Sequence, residues 1–458
     1  MTIQQADEYL RSFEQNKIKV GLARTENLLK LFEVDSRVLK IVHIAGTNGK
    51  GSTCKFLEQI LLESGYNVGV FNSPYFLHQT DAIRTGKQTI SGHSVDNSRN
   101  MSEVDYCHLM DFAKQKIEHS RTIQNGSDAP HNATRFELVT ALALLHFVQK
   151  KCDIVLLEVG LGGLYDSTNV VQNTLLSIVT KISFDHTQYL GDTIESIATN
   201  KAGIIKPCST VVVAPQIFDS ASYVLQSTSA QCNAKMVAVD KTKITAKQDL
   251  DDRIDLDFEG IHAKLGLRGL HQSENAATAI VAAMTLCNHG FVILGTHIKR
   301  GLEQAIWPLR MTRLSRIQKD KPPYIYFDGA HNLDGINALC QYVKSTQEYP
   351  SKTTPIVFIL GILCDKEYEK MVERFAMLKN IFVIAVTPDN ARALDSKTLS
   401  SVCTQMDIPC IESKSLQDAI DKACKKAERS SIYVAGSLYL ASDAYKLCVK
   451  GKYFVQNS

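Results

Sequence analysis

The residues with the clearest chemical potential lie between Ile41 and Cys54, in the sequence IVHIAGTNGKGSTC. A short apolar run of strand length is followed by a glycine-rich turn and then by a segment, Cys54 to Glu63, with helical spacing. This order is typical of a phosphate-binding loop, in which backbone amides curl around an anion at the positive end of a helix. Lys50 would supply a cation for the outer phosphates, and Ser52 would lie beside a bound magnesium ion.

The loop departs from the general pattern G-x-x-x-x-G-K, because only Thr47 and Asn48 separate its first glycine from the Gly-Lys pair. A glycine-rich turn that binds nothing is therefore the alternative interpretation. We favour a nucleotide site, since lysine follows glycine directly in a strand-turn-helix setting. The predicted phosphate-binding residues are Gly46, Thr47, Asn48, Gly49, Lys50, Gly51 and Ser52.

Other apolar segments of strand length also end in polar side chains. They are Val68–Phe71 before Ser73, Asp153–Val159 with Glu158, and Leu175–Ile182 before Asp185 and His186. Because ligands bind at the carboxyl ends of strands in open α/β sheets, these strand ends predict one site. Glu158 has two interpretations, a magnesium contact or a helix-capping or turn glutamate, and the local pattern alone favours neither.

The segments between these strands are predicted as helices and one irregular stretch. Helical patterns cover Glu103–Ser120, Thr134–Gln149 and Thr193–Asn200, whereas Tyr75–Ser91, which holds Arg84, is predicted to be irregular. Lys201 follows the last of these helices. A lysine at a helix end is usually solvated, but Gly203 ends this helix firmly and gives Lys201 a fixed position.

The rest of the chain continues the pattern and then repeats it. Strands are predicted at Thr210–Ala214 and Lys235–Val239, an antiparallel piece at Ile254–Leu267, and a helix near Asn275, which would read a purine edge or cap that helix. The charged segment Arg313–Pro323 is interpreted as a domain boundary. Four strands follow, Tyr324–Phe327, Ile356–Gly361, Ile381–Val386 and Ile432–Ala435, which predict a second α/β unit with a parallel sheet.

Bulk properties exclude several classes of protein. A chain of 458 residues is too long for one core, and a net charge of +3 argues against a dedicated nucleic-acid binder. A polar start and the lack of long apolar runs predict a soluble, cytoplasmic protein without a membrane partner. The 12 cysteines are scattered without a Cys-x-x-Cys pair, so we expect reduced thiols.

Taken together, the motifs resemble those of the folylpolyglutamate synthase and dihydrofolate synthase family, a branch of the Mur-type ATP-dependent amide ligases. The resemblance covers nearly the whole chain in the family's order. Its motifs are Gly46–Ser52, Ser73-Pro74, Glu158–Gly163 with Asp166–Asn169, Asp185–Thr187, Leu190-Gly191, Lys201–Ile204, His271-Gln272 with Asn275-Ala276, Trp307-Pro308, Asp328–Asn332, Asp365-Lys366 and Gly436-Ser437.

The resemblance implies an α/β fold with two domains and an active site in the cleft between them. A P-loop-type ATP-binding domain with a mostly parallel sheet would cover residues 1–311, and a smaller Rossmann-like domain residues 312–458. The implied reaction uses ATP and Mg²⁺: a pteridine-containing acid becomes an acyl phosphate, and the amine of L-glutamate displaces phosphate. We expect a monomer whose partners are these small molecules rather than nucleic acid.

The resemblance also implies roles for individual residues. The catalytic residues would be Lys50, Lys201 and His331. Magnesium would be held by Ser52, Ser73, Glu158, His186 and Lys201, the last as a carbamate formed with carbon dioxide. Asn275 and Asp328 would contact adenine and ribose, and Arg310 a phosphate. The remaining substrate-binding residues would be Arg84, Asp166, His331 and Ser437.

Three departures from the family pattern bear on the substrate. Ser73-Pro74 is followed by Tyr75-Phe76 rather than His-Leu, Asp81-Ala82-Ile83 replaces Glu-Arg-Ile, and Leu309 replaces a glycine. Loss of an arginine near a growing polyglutamate tail favours dihydrofolate synthase, which adds the first glutamate to 7,8-dihydropteroate. Folylpolyglutamate synthase, or one enzyme with both activities, is the alternative.

More distant alternatives fit less of the sequence. A cell-wall Mur ligase would carry a further domain before the loop, where only about 40 residues precede Ile41. A non-catalytic nucleotide-binding regulator predicts decay of a set in which Lys50, Glu158, His186 and Lys201 all remain. A P-loop motor or GTPase would need neither Lys201 nor a second α/β unit.

Overall fold

The structure is a computed structural model that describes residues 1–15, 20–74, 78–87, 98–121, 126–249, 251–316, 324–346, 354–427, 430–450 and 454–456. The chain divides into two units. Unit 1 comprises Met1–Ile244, Asp257–Ala263 and Glu274–Ala305, and unit 2 comprises Thr245–Leu256, Lys264–Ser273 and Ile306–Ser458. Two short segments before residue 306 thus belong to unit 2. The boundary between residues 311 and 312 stays a prediction.

An eight-stranded sheet runs through unit 1, in the order β4-β3-β2-β5-β1-β6-β7-β8. Its strands are β1 (Ile41–Ala45), β2 (Val68–Phe71), β3 (Ile83–Gly86), β4 (Ser98–Asn100), β5 (Ile154–Glu158), β6 (Thr174–Val179), β7 (Thr210–Val213) and β8 (Lys235–Ala238). Strands β2, β5, β1, β6, β7 and β8 are parallel, while β3 and β4 extend the edge in antiparallel fashion. The predicted α/β class with a mostly parallel sheet is confirmed.

Helices cover this sheet and connect its parallel strands. They are α1 (Ile3–Arg11), α2 (Ala23–Leu31), α3 (Lys50–Glu63), α4 (Glu103–Ser120), α5 (Arg135–Gln149), α6 (Thr187–Leu190), α7 (Ile194–Ala202), α8 (Asp219–Gln231), α9 (Gln272–Cys287) and α10 (Gly295–Gln304). Local sequence explains some ends: Thr134 and Glu137 form a capping box that starts α5. Helix α3 differs from an amphipathic helix, because every residue from Gly51 to Leu62 is buried.

A small sheet has the order β11-β10-β9, with β9 (Thr245–Gln248), β10 (Ile254–Phe258) and β11 (Ile261–Lys264). Unit 2 contains a seven-stranded sheet in the order β16-β15-β14-β17-β13-β12-β18. Its strands are β12 (Thr312–Arg316), β13 (Ile325–Phe327), β14 (Ile356–Leu360), β15 (Ile381–Ala385), β16 (Cys410–Glu412), β17 (Ile432–Ala435) and β18 (Phe454–Gln456). Its helices are α11 (Leu333–Ser345), α12 (Tyr368–Ala376), α13 (Ser396–Gln405), α14 (Leu416–Ala427) and α15 (Leu438–Lys450).

The second sheet is parallel from β16 through β13, as predicted for a Rossmann-like unit, and β12 pairs antiparallel with both β13 and β18. Apolar runs explain the parallel part, because β14 and β17 are buried along their whole length. The charged start of the predicted boundary segment is strand β12, which the sequence analysis missed.

The structure corrects the prediction of an irregular stretch over Tyr75–Ser91. Within it, Gln79–Ala82 form a 3-10 helix and Ile83–Gly86 form strand β3, while Tyr75 and Phe76 lie outside the described residues. All 12 cysteines are free thiols, as expected. Within the described parts of the chain, no helix combines the length and apolar character needed to cross a membrane.

Candidate functional site

The predicted convergence of strand ends in unit 1 is confirmed by the order of the strands. Strands β2, β5, β1 and β6 are consecutive neighbours and run parallel. Their carboxyl ends therefore lie side by side at the same end of the sheet. Ser73 follows β2, Glu158 ends β5, the Gly46–Ser52 loop follows β1, and His186 follows β6. In open α/β sheets, ligands bind at this end, beyond the carboxyl ends of the strands.

Two glycines of the loop, Gly46 and Gly49, are required by close approaches of neighbouring side chains. Gly46 has a φ of 150°, and a Cβ there would lie 1.8 Å from Thr180 Oγ1. Gly49 precedes α3 with a φ of 90°, and a Cβ there would lie 2.3 Å from Asn275 Oδ1. The loop therefore fits only with glycine at these positions.

The loop is also tied to the segment that follows β6. The amides of Thr47 and Asn48 donate to the Lys181 carbonyl at 2.8 and 3.3 Å. Thr47 Oγ1 donates to the Ser183 carbonyl at 2.9 Å and accepts from the Ser183 amide at 3.0 Å. These bonds fix the turn, and the start of α3 directs its first backbone N–H groups out of the helix, as a phosphate site requires.

Two lysines meet at one carbonyl of this loop. Lys50 Nζ donates to the carbonyls of Gly46 and Thr47, each at 3.1 Å, and Lys201 Nζ donates to the Gly46 carbonyl at 2.9 Å. Lys201 is only 5 % exposed, and burial, followed by the charge of Lys50, lowers its pKa to about 7. A large share of Lys201 side chains is therefore neutral near pH 7, the form in which an amine reacts as a nucleophile.

A glycine turn holds the helix that carries Lys201. Gly163 packs so closely that a Cβ there would lie 2.7 Å from the Asn200 carbonyl, and the Leu164 amide donates to that carbonyl at 2.8 Å. Asp166 closes the turn: its Oδ2 accepts from the Leu161 amide at 2.8 Å. Burial raises the pKa of Asp166. The structure thus gives Asp166, predicted to bind substrate, a role in folding this turn.

Two oxygen-bearing side chains lie in the loop or on the strand beside it. Glu158 is buried and accepts from Asn72 Nδ2 at 2.5 Å, and Ser52 is buried in the first turn of α3. Carboxylate and hydroxyl oxygens are the ligands that Mg²⁺ prefers, so this donor set fits the ion. Among the described residues, no three His, Cys, Asp or Glu side chains are close enough to hold a metal. Of the five predicted magnesium ligands, only Glu158 and His186 belong to these four residue types.

His186 stands apart from its neighbours by its backbone conformation. Its φ of 52° lies in the left-handed region, and it precedes the short helix α6. Its amide donates to Asp185 Oδ1 at 2.9 Å, and its Nε2 lies 3.8 Å from Asp185 Oδ2. Asp185 therefore accepts from the backbone of this histidine, and its second oxygen lies within ion-pair distance of the ring.

Arg84 has partners that the sequence analysis missed. It lies in β3, is 4 % exposed, and pairs with Glu58 of α3 with an Nη2–Oε2 distance of 2.9 Å. The protein itself thus engages the guanidinium that was predicted to bind substrate. One signal for Glu58 was present in the sequence, since a charged residue interrupts the apolar run from Phe56 to Leu61.

In unit 2, Asp328 and His331 follow strand β13, Ser437 follows the neighbouring strand β17, and Arg310 precedes β12. Asp328 Oδ1 accepts from the Ala330 amide at 2.9 Å and its Oδ2 from the Met311 amide at 3.0 Å. Burial raises the pKa of Asp328, and the charge of Arg310 opposes that rise. Arg310 also lies near Gly329, where a Cβ would be 2.8 Å from its Nη1.

His331 and Ser437 share this end of the second sheet. His331 Nδ1 lies 2.7 Å from the Gly329 carbonyl, which can only accept, so in the neutral ring the proton is on Nδ1. Ser437 is buried and its hydroxyl accepts from the Tyr439 amide at 3.2 Å. The Gly436 amide donates to the Ala330 carbonyl at 2.9 Å and joins the two loops. Of the predicted nucleotide contacts, Asn275 thus lies in unit 1, and Arg310 and Asp328 in unit 2.

Comparison with protein families gives two matches. The Mur ligase middle domain matches residues 106–283, and the Mur ligase glutamate ligase domain matches residues 312–438. Among curated proteins, the dihydrofolate synthase/folylpolyglutamate synthase of Bacillus subtilis is 32 % identical over 443 residues, which cover 94 % of this chain and 95 % of that protein.

Solved structures agree with these matches. The apo form of L. casei FPGS superposes with a TM-score of 0.79 at 27 % identity, covering 98 % of this chain and 100 % of that one. E. coli FolC in complex with DHPP and ADP superposes with a TM-score of 0.78 at 25 % identity, covering 99 % of both chains. The B. subtilis relative, matched along nearly its whole length, establishes that this chain belongs to the dihydrofolate synthase/folylpolyglutamate synthase family of ATP-dependent ligases.

Proposed function

We propose that the protein is a dihydrofolate synthase that adds L-glutamate to 7,8-dihydropteroate and releases dihydrofolate, ADP and phosphate. The observation that carries the chemistry is the convergence of Lys50 and Lys201 on the Gly46 carbonyl beside a buried Glu158. This arrangement combines a phosphate-binding cation, an amine of low pKa and a carboxylate at the carboxyl ends of the parallel strands. Its elements are those that phosphoryl transfer to a carboxylate needs.

The reaction must first convert a poor electrophile into a reactive one. A carboxylate oxygen of the pterin acid attacks the γ-phosphorus of ATP, the bond to ADP breaks, and an acyl phosphate forms. The glutamate amine then attacks the acyl carbon, phosphate leaves, and the amine proton is lost as the amide forms. Lys50 and the amides at the start of α3 balance the charge that develops on the transferred phosphoryl group.

The residues proposed to hold magnesium are Ser52, Ser73, Glu158, His186 and a carbamylated Lys201. The ion would supply positive charge to the phosphoryl oxygens. The lowered pKa of Lys201 supports the carbamate, because only a neutral amine adds to carbon dioxide. The carbamate would convert a cation into an oxygen ligand of the kind that Mg²⁺ prefers.

The other assignments concern the nucleotide and the incoming glutamate. Asn275 and Asp328 are proposed to contact adenine and ribose, and Arg310 a phosphate. The ADP bound to E. coli FolC supports a nucleotide. We assign His331 and Ser437 to the incoming glutamate. The Gly329 carbonyl engages the Nδ1–H of His331, which makes Nε2 the accepting nitrogen of the neutral ring.

The choice of dihydropteroate is supported by the segment Asp81-Ala82-Ile83. Asp81 Oδ2 accepts from the His78 amide at 2.9 Å and its Oδ1 from Asn100 Nδ2 at 2.7 Å, and the neighbouring Ala82 is buried. The segment itself carries no cationic side chain where many family members carry an arginine, and the guanidinium of Arg84, which follows it, is paired with Glu58. A site without that cation favours addition of the first glutamate over extension of an anionic polyglutamate tail.

Folylpolyglutamate synthase activity, alone or together with the first, is the second candidate. It is favoured by the B. subtilis relative, whose name carries both activities. A cytoplasmic location and a monomeric state also stay predictions.

The test is glutamate-dependent release of ADP from ATP and Mg²⁺ by the full chain. One reaction contains 7,8-dihydropteroate and the other a reduced folate monoglutamate. We expect turnover with dihydropteroate only. Turnover with the folate only would contradict the proposal, and turnover with both would identify a bifunctional enzyme.

Lys50→Ala is the negative control for this assay. The variant lacks the cation at the loop, so we expect turnover to fall by at least roughly 100-fold with either acceptor. Turnover equal to that of the unmodified chain would remove the assignment of the Gly46–Ser52 loop.

A further inference from the structure

A group of buried polar side chains lies next to Glu158, and the proposed function gives none of them a part in the reaction. It consists of Lys55, Glu58, Asn72 and Arg84, and we call it the Glu58 network. Lys55 and Glu58 belong to α3, the helix that follows the phosphate-binding loop, Arg84 belongs to β3, and Asn72 directly follows β2. All four residues are at most 4 % exposed. Charged groups buried to this degree are stable only when they are paired.

Arg84 is the centre of this network. Its Nε and Nη2 donate to the two carboxylate oxygens of Glu58 at 3.2 and 2.9 Å, which is a bidentate pair. Lys55 Nζ lies 3.5 Å from Glu58 Oε2. The Nη2 of Arg84 also donates to Asn72 Oδ1 at 2.7 Å. The guanidinium is therefore fixed in position and connects α3 to the residue after β2.

The bond from Arg84 determines how the Asn72 amide is turned. A guanidinium can only donate, so the atom of Asn72 that faces it must be the carbonyl oxygen. The amide nitrogen then faces Glu158 and donates to its Oε2 at 2.5 Å. The orientation of one metal-ligand candidate thus depends on a chain of hydrogen bonds that begins at Glu58.

The geometry points to Arg84 and Asn72 as positioning residues that hold the Glu158 carboxylate ready for a divalent cation. This inference rests on the proposed function, in which Glu158 is a magnesium ligand. The formal charges of Lys55 and Arg84 balance those of Glu58 and Glu158, so the arrangement can stay ionised while buried. Partners of this kind orient a ligand without touching the metal.

The experiment is a titration of the full chain with Mn²⁺, in which the electron paramagnetic resonance signal of the free ion measures how much Mn²⁺ stays unbound. Removing a partner that orients a metal ligand typically weakens metal affinity by about 10- to 100-fold. We expect that loss in Asn72→Leu, which cannot donate to Glu158. Arg84→Lys keeps the charge but lacks the fork that reaches Glu58 and Asn72 together, so its loss should be smaller.

Arg24→Lys is the matched control for Arg84→Lys. Arg24 forms a buried two-bond pair with Glu137, with Nε–Oε1 and Nη2–Oε1 distances of 3.1 and 2.9 Å. Both substitutions disturb a buried Arg–Glu pair in unit 1, but only Arg84 is bonded to Asn72. We therefore expect comparable losses of thermal stability and an unchanged Mn²⁺ affinity in Arg24→Lys.

A double variant tests whether Arg84 acts through Asn72. If it does, Asn72→Leu combined with Arg84→Lys binds Mn²⁺ as weakly as Asn72→Leu alone. Fully additive losses, or affinities equal to that of the unmodified chain in both single variants, would overturn the inference. If Asn72→Leu does not fold, the difference between Arg84→Lys and Arg24→Lys decides. An unmodified chain that neither binds Mn²⁺ nor turns over would instead overturn the proposed function.

Discussion

Lys201 owes its chemistry to its surroundings rather than to its type. Its amine is buried, donates to the Gly46 carbonyl and lies near the charge of Lys50. Burial and that charge both disfavour the protonated form, which lowers its pKa to about 7. Most lysines are fully charged at this pH, so Lys201 differs from them by carrying a usable lone pair.

We predict that Lys201 forms a carbamate with dissolved carbon dioxide. The neutral amine attacks the carbon, an N–C bond forms, and the nitrogen loses a proton. After equilibration with ¹³C-bicarbonate, a carbamate resonance should appear in the NMR spectrum of the chain and be absent from Lys201→Arg. Below a pH of about 7 the amine is protonated, so the signal should grow as pH is raised through that value.

Activity provides a second readout of the same group. Lys201→Ala should be inactive and regain part of its turnover when a short carboxylic acid is added, because that acid replaces the missing carboxylate. Inactivity without such rescue, together with no carbamate resonance in the unmodified chain, would contradict the prediction.

Helix α10 packs against α3 through a position where only glycine fits. A Cβ at Gly301 would lie 2.5 Å from the backbone nitrogen of Ile60. Gly301→Ala should therefore force the helices apart and lower the free energy of unfolding by about 1–3 kcal/mol, measured by denaturant titration. In the same helix, a Cβ at Gly295 would lie 3.5 Å from Ile261 Cδ1, an ordinary contact. Equal losses in Gly301→Ala and Gly295→Ala would contradict this account.

Elements specified by local sequence were predicted well. Helix α5 follows a capping box, and strands β1 and β17 are uninterrupted buried runs, so their bounds needed no knowledge of distant residues. Strand β12 was missed for the opposite reason. Its sequence is charged rather than apolar, and it becomes a strand by pairing with β13 and β18, which lie later in the sequence.

The same distinction applies to the candidate site. The convergence of Ser73, Glu158 and His186 could be predicted because parallel strands end at one edge. The role of Arg84 could not, because its partner Glu58 lies 26 residues earlier and on another element. Asn275 was interpreted as a purine contact or a cap, and its approach to Gly49 depends on how α9 packs against the loop.

The folded molecule should become more stable when it binds nucleotide. A ligand that binds only the folded state stabilises it by about 2.7 kcal/mol at roughly 100 times its Kd. We therefore expect the non-hydrolysable analogue AMPPCP with Mg²⁺ to raise the Tm of the unmodified chain. Lys50→Ala should show a smaller rise, because it lacks the cation at the phosphates. Equal rises in both proteins would place nucleotide binding away from the Gly46–Ser52 loop.

Helix α3 connects the Gly46–Ser52 loop to the interior of unit 1, and it has no water-facing stripe between Gly51 and Leu62. On an amphipathic helix such as α14, exposed positions can change one at a time with little effect, but α3 offers no such positions. Changes there must be matched by simultaneous changes in neighbouring elements. The helix that begins in the proposed phosphate-binding loop therefore tolerates few single changes. We expect new specificity in descendants of this protein to arise in the surrounding loops.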